Sequence, residues 1–250
     1  MTLYFIGLGL DDRDISLKGL EAVKRCSSVY LEDYTGITPS VSSLEKLLGK
    51  RLFPADRKLV EESDEIIKNS KKGNVAFLAS GDPLAATTHA ELFLRAEKEG
   101  VECEIIHCTS IFSVIAETGL QLYRFGATAS IPFPEKGFEP ESFYDVIKQN
   151  KKLGLHTLLL LDLKPEQKRF LEIKEAIKIL LKIEEKRKEN IFSGEMQCIG
   201  CARLGMKGKK IIFSKASEII KMDFGNPPYC LIVPGKLHFM EEEMLNLFKC

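Results

Sequence analysis

Thr2-Leu3-Tyr4-Phe5-Ile6-Gly7-Leu8-Gly9-Leu10-Asp11-Asp12 and Val75-Ala76-Phe77-Leu78-Ala79-Ser80-Gly81-Asp82-Pro83 are two apolar runs, each ending in a glycine-bearing turn. Each run has the length and continuous apolarity of a strand buried on both faces, as parallel strands are, and each turn hands the chain to a helix. Open α/β sheets bind small ligands at such turns. Glycine suits them because φ > 0 costs it nothing and its missing Cβ lets a ligand lie against main chain. The pair predicts an α/β protein with a cofactor site at the carboxyl edge of its first sheet.

The first turn departs from the dinucleotide fingerprint G-x-G-x-x-G at its third position, where Asp12 stands. Asp11 and Asp12 put negative charge where a pyrophosphate needs amide N–H groups and the positive end of a helix. A cofactor without phosphate and with a positive centre suits the same turn, and S-adenosylmethionine meets that description. Glu32 and Asp33 end the run Ser28–Leu31 near the spacing of a ribose-binding acid, which keeps a nicotinamide enzyme as a minor alternative.

Lys+Arg and Asp+Glu number 36 each, so no global field holds nucleic acid, and the 44% hydrophobic content is that of a globular core. No run approaches the roughly 20 apolar residues of a membrane span, and the opening lacks the basic stretch and cleavage site of a signal peptide. These features predict a cytoplasmic protein with neither membrane nor nucleic acid as partner. Seven cysteines without regular spacing predict reduced thiols. Cys198-Ile199-Gly200-Cys201 has no second CxxC or His pair at metal-site spacing, and reads as packing in a strand. No metal is expected.

The 250 residues have room for two ordinary domains. Asp14-Ile15-Ser16 offers caps for a helix with Leu17, Leu20, Ala22 and Val23 on its apolar face. Strand Val29–Leu31, a loop over 35–43, a helix over Leu44–Leu48, a short strand at Leu52-Phe53 and one helix over 57–70 follow. A helix opened by Thr87-Thr88-His89 stops at Gly100, and strand Cys103–Ile106 delivers His107-Cys108-Thr109-Ser110. This alternation predicts a parallel-sheet α/β domain over 1–118. Beyond Gly119 the pattern predicts a second, mixed-sheet α/β domain over 119–250. Its helices fall at 140–151, at 170–189 and from Glu241. Its strands fall at 156–162 and near 197–202, 210–213 and 229–233.

With both turns in place, the chain resembles the tetrapyrrole-methylase-like class of S-adenosylmethionine-dependent methyltransferases, and within it the diphthine synthase family of archaeal type. The opening Tyr4–Leu10 with Asp14-Ile15 and Lys18–Glu21 is similar to that family's, as is Gly81-Asp82-Pro83-Leu84-Ala85-Ala86-Thr87-Thr88-His89. Gly119–Gly126, Gly154–Leu158 and Val233–His238 match in order along nearly the whole chain. General tetrapyrrole methylases share only the first turn and the Gly-Asp-Pro loop. The chain lacks the segment that eukaryotic members insert after Leu161-Asp162-Leu163-Lys164.

The resemblance implies two α/β domains of tetrapyrrole methylase-like fold, with the cofactor cleft between them, and commonly a homodimer. It implies S-adenosylmethionine contacts at Leu10, Asp82, Ala85, Ser110, Ile111, Leu161, Ala202, Leu204 and Tyr229, the last standing where many relatives carry His. It also implies methylation of the amine of a 3-amino-3-carboxypropyl group on a histidine of translation elongation factor 2, three methyls giving diphthine. That amine must lose a proton before each attack. His89 is the catalytic candidate, set against a histidine held by a local hydrogen bond at a helix start. Arg124 and Lys236 are candidates to receive the acceptor's carboxylate, set against ordinary surface cations. The competing functions are a corrin or porphyrin methyltransferase and a non-enzymatic adenosine-ligand sensor.

Overall fold

A computed structural model describes residues 1–11, 13–37, 40–135 and 137–250. Asp12, and Thr38 and Pro39 of the predicted 35–43 loop, lie outside the described residues. The chain divides into two compact units, Met1–Val114 with Lys164–Lys168, and Ile115–Leu163 with Arg169–Cys250.

In the first unit, β1 (Thr2–Gly7), α1 (Leu17–Lys24), β2 (Ser28–Glu32), α2 (Val41–Leu48) and β3 (Phe53–Ala55) lead into α3 (Arg57–Glu62), α4 (Glu65–Ser70) and β4 (Val75–Ala79). Then come α5 (Ala90–Lys98), β5 (Glu102–Ile106) and the one-turn α6 (Ile111–Val114). The five strands pair in the order β3-β2-β4-β1-β5, all parallel. Leu3 and Phe5 of β1 face one buried cluster, with Phe77 and Leu92, while Tyr4 and Ile6 face another, with Val23 and Leu78. A run buried on both faces cannot alternate in polarity, which is why β1 and β4 read as continuous apolar stretches. Ile6 lies beside both Leu78 and Ile106 in register, so the residues just beyond β1, β4 and β5 emerge together at one edge.

Two elements differ from the sequence reading. The single helix predicted over 57–70 is broken at Ser63, whose backbone is extended (φ −108°, ψ 148°) and whose hydroxyl accepts from the Glu65 N–H at 3.1 Å. Local bonding of this kind competes with the helix, while Val60, Ile66 and Ile67 carry the apolar pattern across the break. The third strand lies at Phe53–Ala55 rather than Leu52-Phe53; it is the edge strand, where Pro54 loses no needed N–H.

The second unit holds β6 (Ala129–Ile131), α7 (Ser142–Leu153), β7 (Thr157–Leu161) and the ribbon strands β8 (Leu163–Lys164) and β9 (Arg169–Phe170). They are followed by α8 (Ile173–Arg187), β10 (Gln197–Ala202), β11 (Lys210–Lys215), α9 (Ala216–Ile219), β12 (Tyr229–Val233) and α10 (Phe239–Asn246). Its sheet runs β11-β10-β12-β7-β6, antiparallel except for the parallel pair β6 and β7. Ile177 and Leu180 of α8 and Phe143 and Ile147 of α7 pack with Leu159 and Leu231 in one cluster. Full burial of each such side chain stabilises the unit by roughly 1.5–3 kcal/mol. The closing helix starts at Phe239, ahead of the predicted Glu241, because His238 caps it. Cys198 and Cys201 are buried free thiols in β10, and burial pushes the Cys198 thiol up to about 12, as suits packing rather than redox chemistry. Among the described residues no helix is long and apolar enough to cross a membrane.

Candidate functional site

Three loops meet at the carboxyl edge of the first sheet: residues 7–11 after β1, 80–86 after β4 and 107–110 after β5. Gly9 and Gly81 bridge the first two main chain to main chain, Gly9 N–H to Gly81 C=O at 3.0 Å and the reverse bond at 2.8 Å. Both have left-handed φ, 75° and 70°. A Cβ on Gly7 would lie 2.6 Å from the Gly81 carbonyl oxygen and 2.7 Å from Cys108 Cβ. The glycines are therefore required by how closely the backbones approach.

The fate of the first turn's amides defines the ligand class. Asp14 Oδ2 accepts from the N–H groups of both Leu10 and Asp11 at 3.0 Å. A carboxylate of the chain thus occupies the amides a phosphate would use in a dinucleotide turn. The sequence sets Asp11 and Asp12 against a phosphate, and Asp12 lies outside the described residues. In the structure Asp14, four residues after Leu10, is the carboxylate that accepts from the N–H groups of the turn.

The second loop is organised by Asp82. Its Oδ1 accepts from Leu84 N–H at 3.1 Å, and its Oδ2 from Cys108 N–H at 3.2 Å and from His107 Nδ1 at 2.8 Å. Ala85 follows, its N–H on the Asp82 carbonyl at 3.2 Å, and Ala86 is left-handed with φ 57°. Ser110 is buried and its carbonyl starts α6, in which Ile111 is half-buried. Leu10, Asp82, Ala85, Ser110 and Ile111 are thereby brought to one edge of one sheet, a site that offers main chain, one carboxylate, a hydroxyl and apolar walls. That donor set fits a cationic, phosphate-free nucleoside.

His89 sits behind this edge. It is 1% exposed, its Nδ1 lies 2.9 Å from the Pro83 carbonyl, and its ring meets Phe77 edge-on at 4.9 Å. Since a carbonyl only accepts, Nδ1 carries the proton and Nε2 is bare, with no partner among the described residues. Burial lowers its pKa and keeps it neutral. It closes the Pro83–His89 loop, and helix α5 begins only after it.

In the second unit, Leu161, Ala202 and Tyr229 stand at one end of the neighbouring strands β7, β10 and β12, with Ala202 paired to Tyr229. The chain leaves β10 through Arg203, left-handed with φ 56°, whose N–H bonds the Pro228 carbonyl at 2.9 Å, and Leu204 is buried beside it. The Tyr229 hydroxyl donates to the Gly225 carbonyl, so its side chain is engaged within its own loop.

The motifs of 119–126, 154–158 and 233–238 converge on a buried pair in the same unit. Glu241 and His156 are both fully buried, with His156 Nε2 3.0 Å from Glu241 Oε1 and the Gly235 N–H on His156 Nδ1 at 2.9 Å. Burial lowers the His156 pKa; burial would raise that of Glu241, but the N–H groups of Gln121 and His238 together with the imidazole outweigh it and hold Glu241 below its usual range. Arg124 donates to the Lys236 carbonyl and lies 3.6 Å from Glu241, so its guanidinium ties these motifs together, while Lys236 remains exposed. Among the described residues no group of three or more His, Cys, Asp or Glu is placed to hold a metal ion.

Comparison with known proteins defines the class. Residues 2–220 match the family of tetrapyrrole (corrin/porphyrin) methylases. The chain is 46% identical to a diphthine synthase of Methanococcus maripaludis over 98% of its own length and 97% of that protein's. It is 41% identical to the Arabidopsis thaliana protein named "Probable diphthine methyl ester synthase", covering 99% and 98% of the two chains. A crystal structure of a diphthine synthase superposes with a TM-score of 0.90 at 36% identity, covering 100% of this chain and 96% of that one. The chain belongs to the tetrapyrrole methylases, a methyltransferase family of α/β fold. Within them it is a member of the diphthine synthase family.

Proposed function

We propose that this chain transfers methyl groups from S-adenosylmethionine to the amine of the 3-amino-3-carboxypropyl group on a histidine of translation elongation factor 2, three in all, yielding diphthine. The amides filled by Asp14, beside bare main chain at Gly81, carry the cofactor class; full-length likeness to the diphthine synthases carries the acceptor. The alignment with the plant protein runs over 271 positions against 250 residues here, so the plant chain holds inserted residues that this one lacks.

In this reading Leu10, Ala85, Ser110 and Ile111 line the cofactor and Asp82 faces its positive methionine end; Leu161, Ala202, Leu204 and Tyr229 are cofactor candidates by family resemblance. When bound, the cofactor supplies an electrophilic methyl on a sulfonium. The protein's task is then alignment and exclusion of water, because charge on sulfur is cancelled as the nucleophile acquires it. The same reading takes the enzyme to be a cytoplasmic homodimer.

The deciding experiment incubates the protein and methyl-labelled S-adenosylmethionine with elongation factor 2 from cells lacking this gene. Label is expected on one histidine-containing peptide, up to three methyls. Label on a corrin or porphyrin instead overturns the reading. Asp82→Ala is expected to weaken cofactor binding by about tenfold or more, as for loss of a charged hydrogen-bonding partner; unchanged affinity by calorimetry removes Asp82 from the site.

A further inference from the structure

His107 is the first residue beyond β5, at the edge where Leu10, Asp82 and Ser110 gather. Its ring is 70% exposed, whereas its partner Asp82 is 12% exposed. The carboxylate is fixed by the Leu84 and Cys108 N–H groups and accepts from His107 Nδ1 at 2.8 Å. An ionised carboxylate only accepts, so the proton of the neutral imidazole resides on Nδ1 and the lone pair on Nε2 is bare. No described residue bonds that Nε2. An imidazole whose tautomer is held by a half-enclosed carboxylate, with its other nitrogen presented to solvent, has the arrangement of a positioned base, and the carboxylate stabilises the imidazolium that forms.

We propose that His107 is the proton acceptor for the acceptor amine, with Asp82 orienting it, an inference that rests on the methyltransferase reading above. The N–H bond of the acceptor's ammonium breaks, its electron pair stays on nitrogen as the nucleophilic lone pair, and the proton forms the Nε2–H bond of His107. From the exposed ring it passes to water before the next cycle. His89 is a weaker candidate because it is enclosed at 1% exposure, whereas an amine on a macromolecule can reach an exposed ring. Cys108 is adjacent, but burial raises its pKa, with Asp14 and Asp82 adding to the effect, and its Sγ donates to the Asp14 carbonyl at 3.1 Å. Asp82, Cys108 and Asp14 are the titratable groups bonded to His107 or to its neighbour; Glu104, further up β5, is paired with Lys18.

The test is His107→Gln, whose amide can still donate to Asp82 but cannot take a proton. Affinity for S-adenosylhomocysteine by calorimetry is expected within twofold of wild type. Methyl transfer at pH 7 is expected to fall by about 100-fold or more. The deficit should shrink about tenfold per pH unit as the free amine forms unaided. In the wild-type protein without cofactor, nitrogen NMR is expected to show His107 protonated at Nδ1 and bare at Nε2, a preference lost in Asp82→Asn. Transfer by His107→Gln within threefold of wild type, or the opposite tautomer, overturns the inference and leaves the proposed function standing. If His107→Gln loses its fold by circular dichroism, His107→Asn and the wild-type tautomer decide. Absence of any transfer by wild type overturns the proposed function and this inference with it.

Discussion

Asp14 illustrates how one side chain can occupy the donors of a whole turn. It joins two main-chain N–H groups to a carboxylate, and charge-assisted bonds of this kind are worth more than neutral ones. Asp14→Ala is expected to cost about 1–3 kcal/mol of stability, since two turn amides lose their acceptor. Chemical denaturation measures that loss, and stability within 0.5 kcal/mol of wild type would show the bonds to be replaced by water. The proposed part of His107 was not legible in the linear sequence, whereas the spacing of Asp14 from Leu10 was there to be read. His107 reads as the first residue off a strand, and only the meeting of the loops after β4 and β5 gives it Asp82; the partners of Asp14 are the N–H groups of Leu10 and Asp11, four and three residues away in its own turn.

At the level of elements, the parallel sheet was readable because β1 and β4 announce themselves by unbroken apolar runs with a glycine after each. The break at Ser63 was not, because Val60, Ile66 and Ile67 keep helical spacing straight across it. The edge position of β3 could not be read either, since strand order is a property of the assembled sheet. The gathering of Leu10, Asp82 and Ser110 follows from parallel register alone, whereas the Glu241–His156 pair joins motifs that nothing in their spacing relates. The Gly9–Gly81 bridge makes a sharp prediction for these elements. A Cβ on Gly9 would lie 2.2 Å from Asp14 Cβ, and φ is 75°. Gly9→Ala should destabilise the protein by about 2 kcal/mol or more, combining left-handed strain with overlap, and should weaken cofactor binding at the same time. A variant as stable as wild type would mean that the turn can be rebuilt.

For the molecule as a whole, acid sensitivity follows from one buried neutral histidine in each unit. Burial lowers the pKa of both His89 and His156 from the ordinary value of 6.5. Above that value both states are neutral and stability is undiminished. As pH falls below it, the unfolded chain binds protons that the folded chain refuses, and each histidine removes up to ~1.4 kcal/mol per pH unit until its folded pKa is reached. Burial raises the Glu32 pKa, and that group works in the opposite sense, favouring the fold as pH drops from its raised value toward 4.5. Denaturation midpoints at pH 7.5 and 5.5 should therefore differ in wild type and converge in a His89→Gln, His156→Gln double variant; equal midpoints in wild type would contradict the buried neutral state. The internal anion at the first turn has a further consequence for competing nucleotides. A loop with vacant amides would also accept the phosphates of ATP, NADH and their relatives. With Asp14 on those amides, adenine compounds are expected to inhibit the protein better when they are stripped of phosphate.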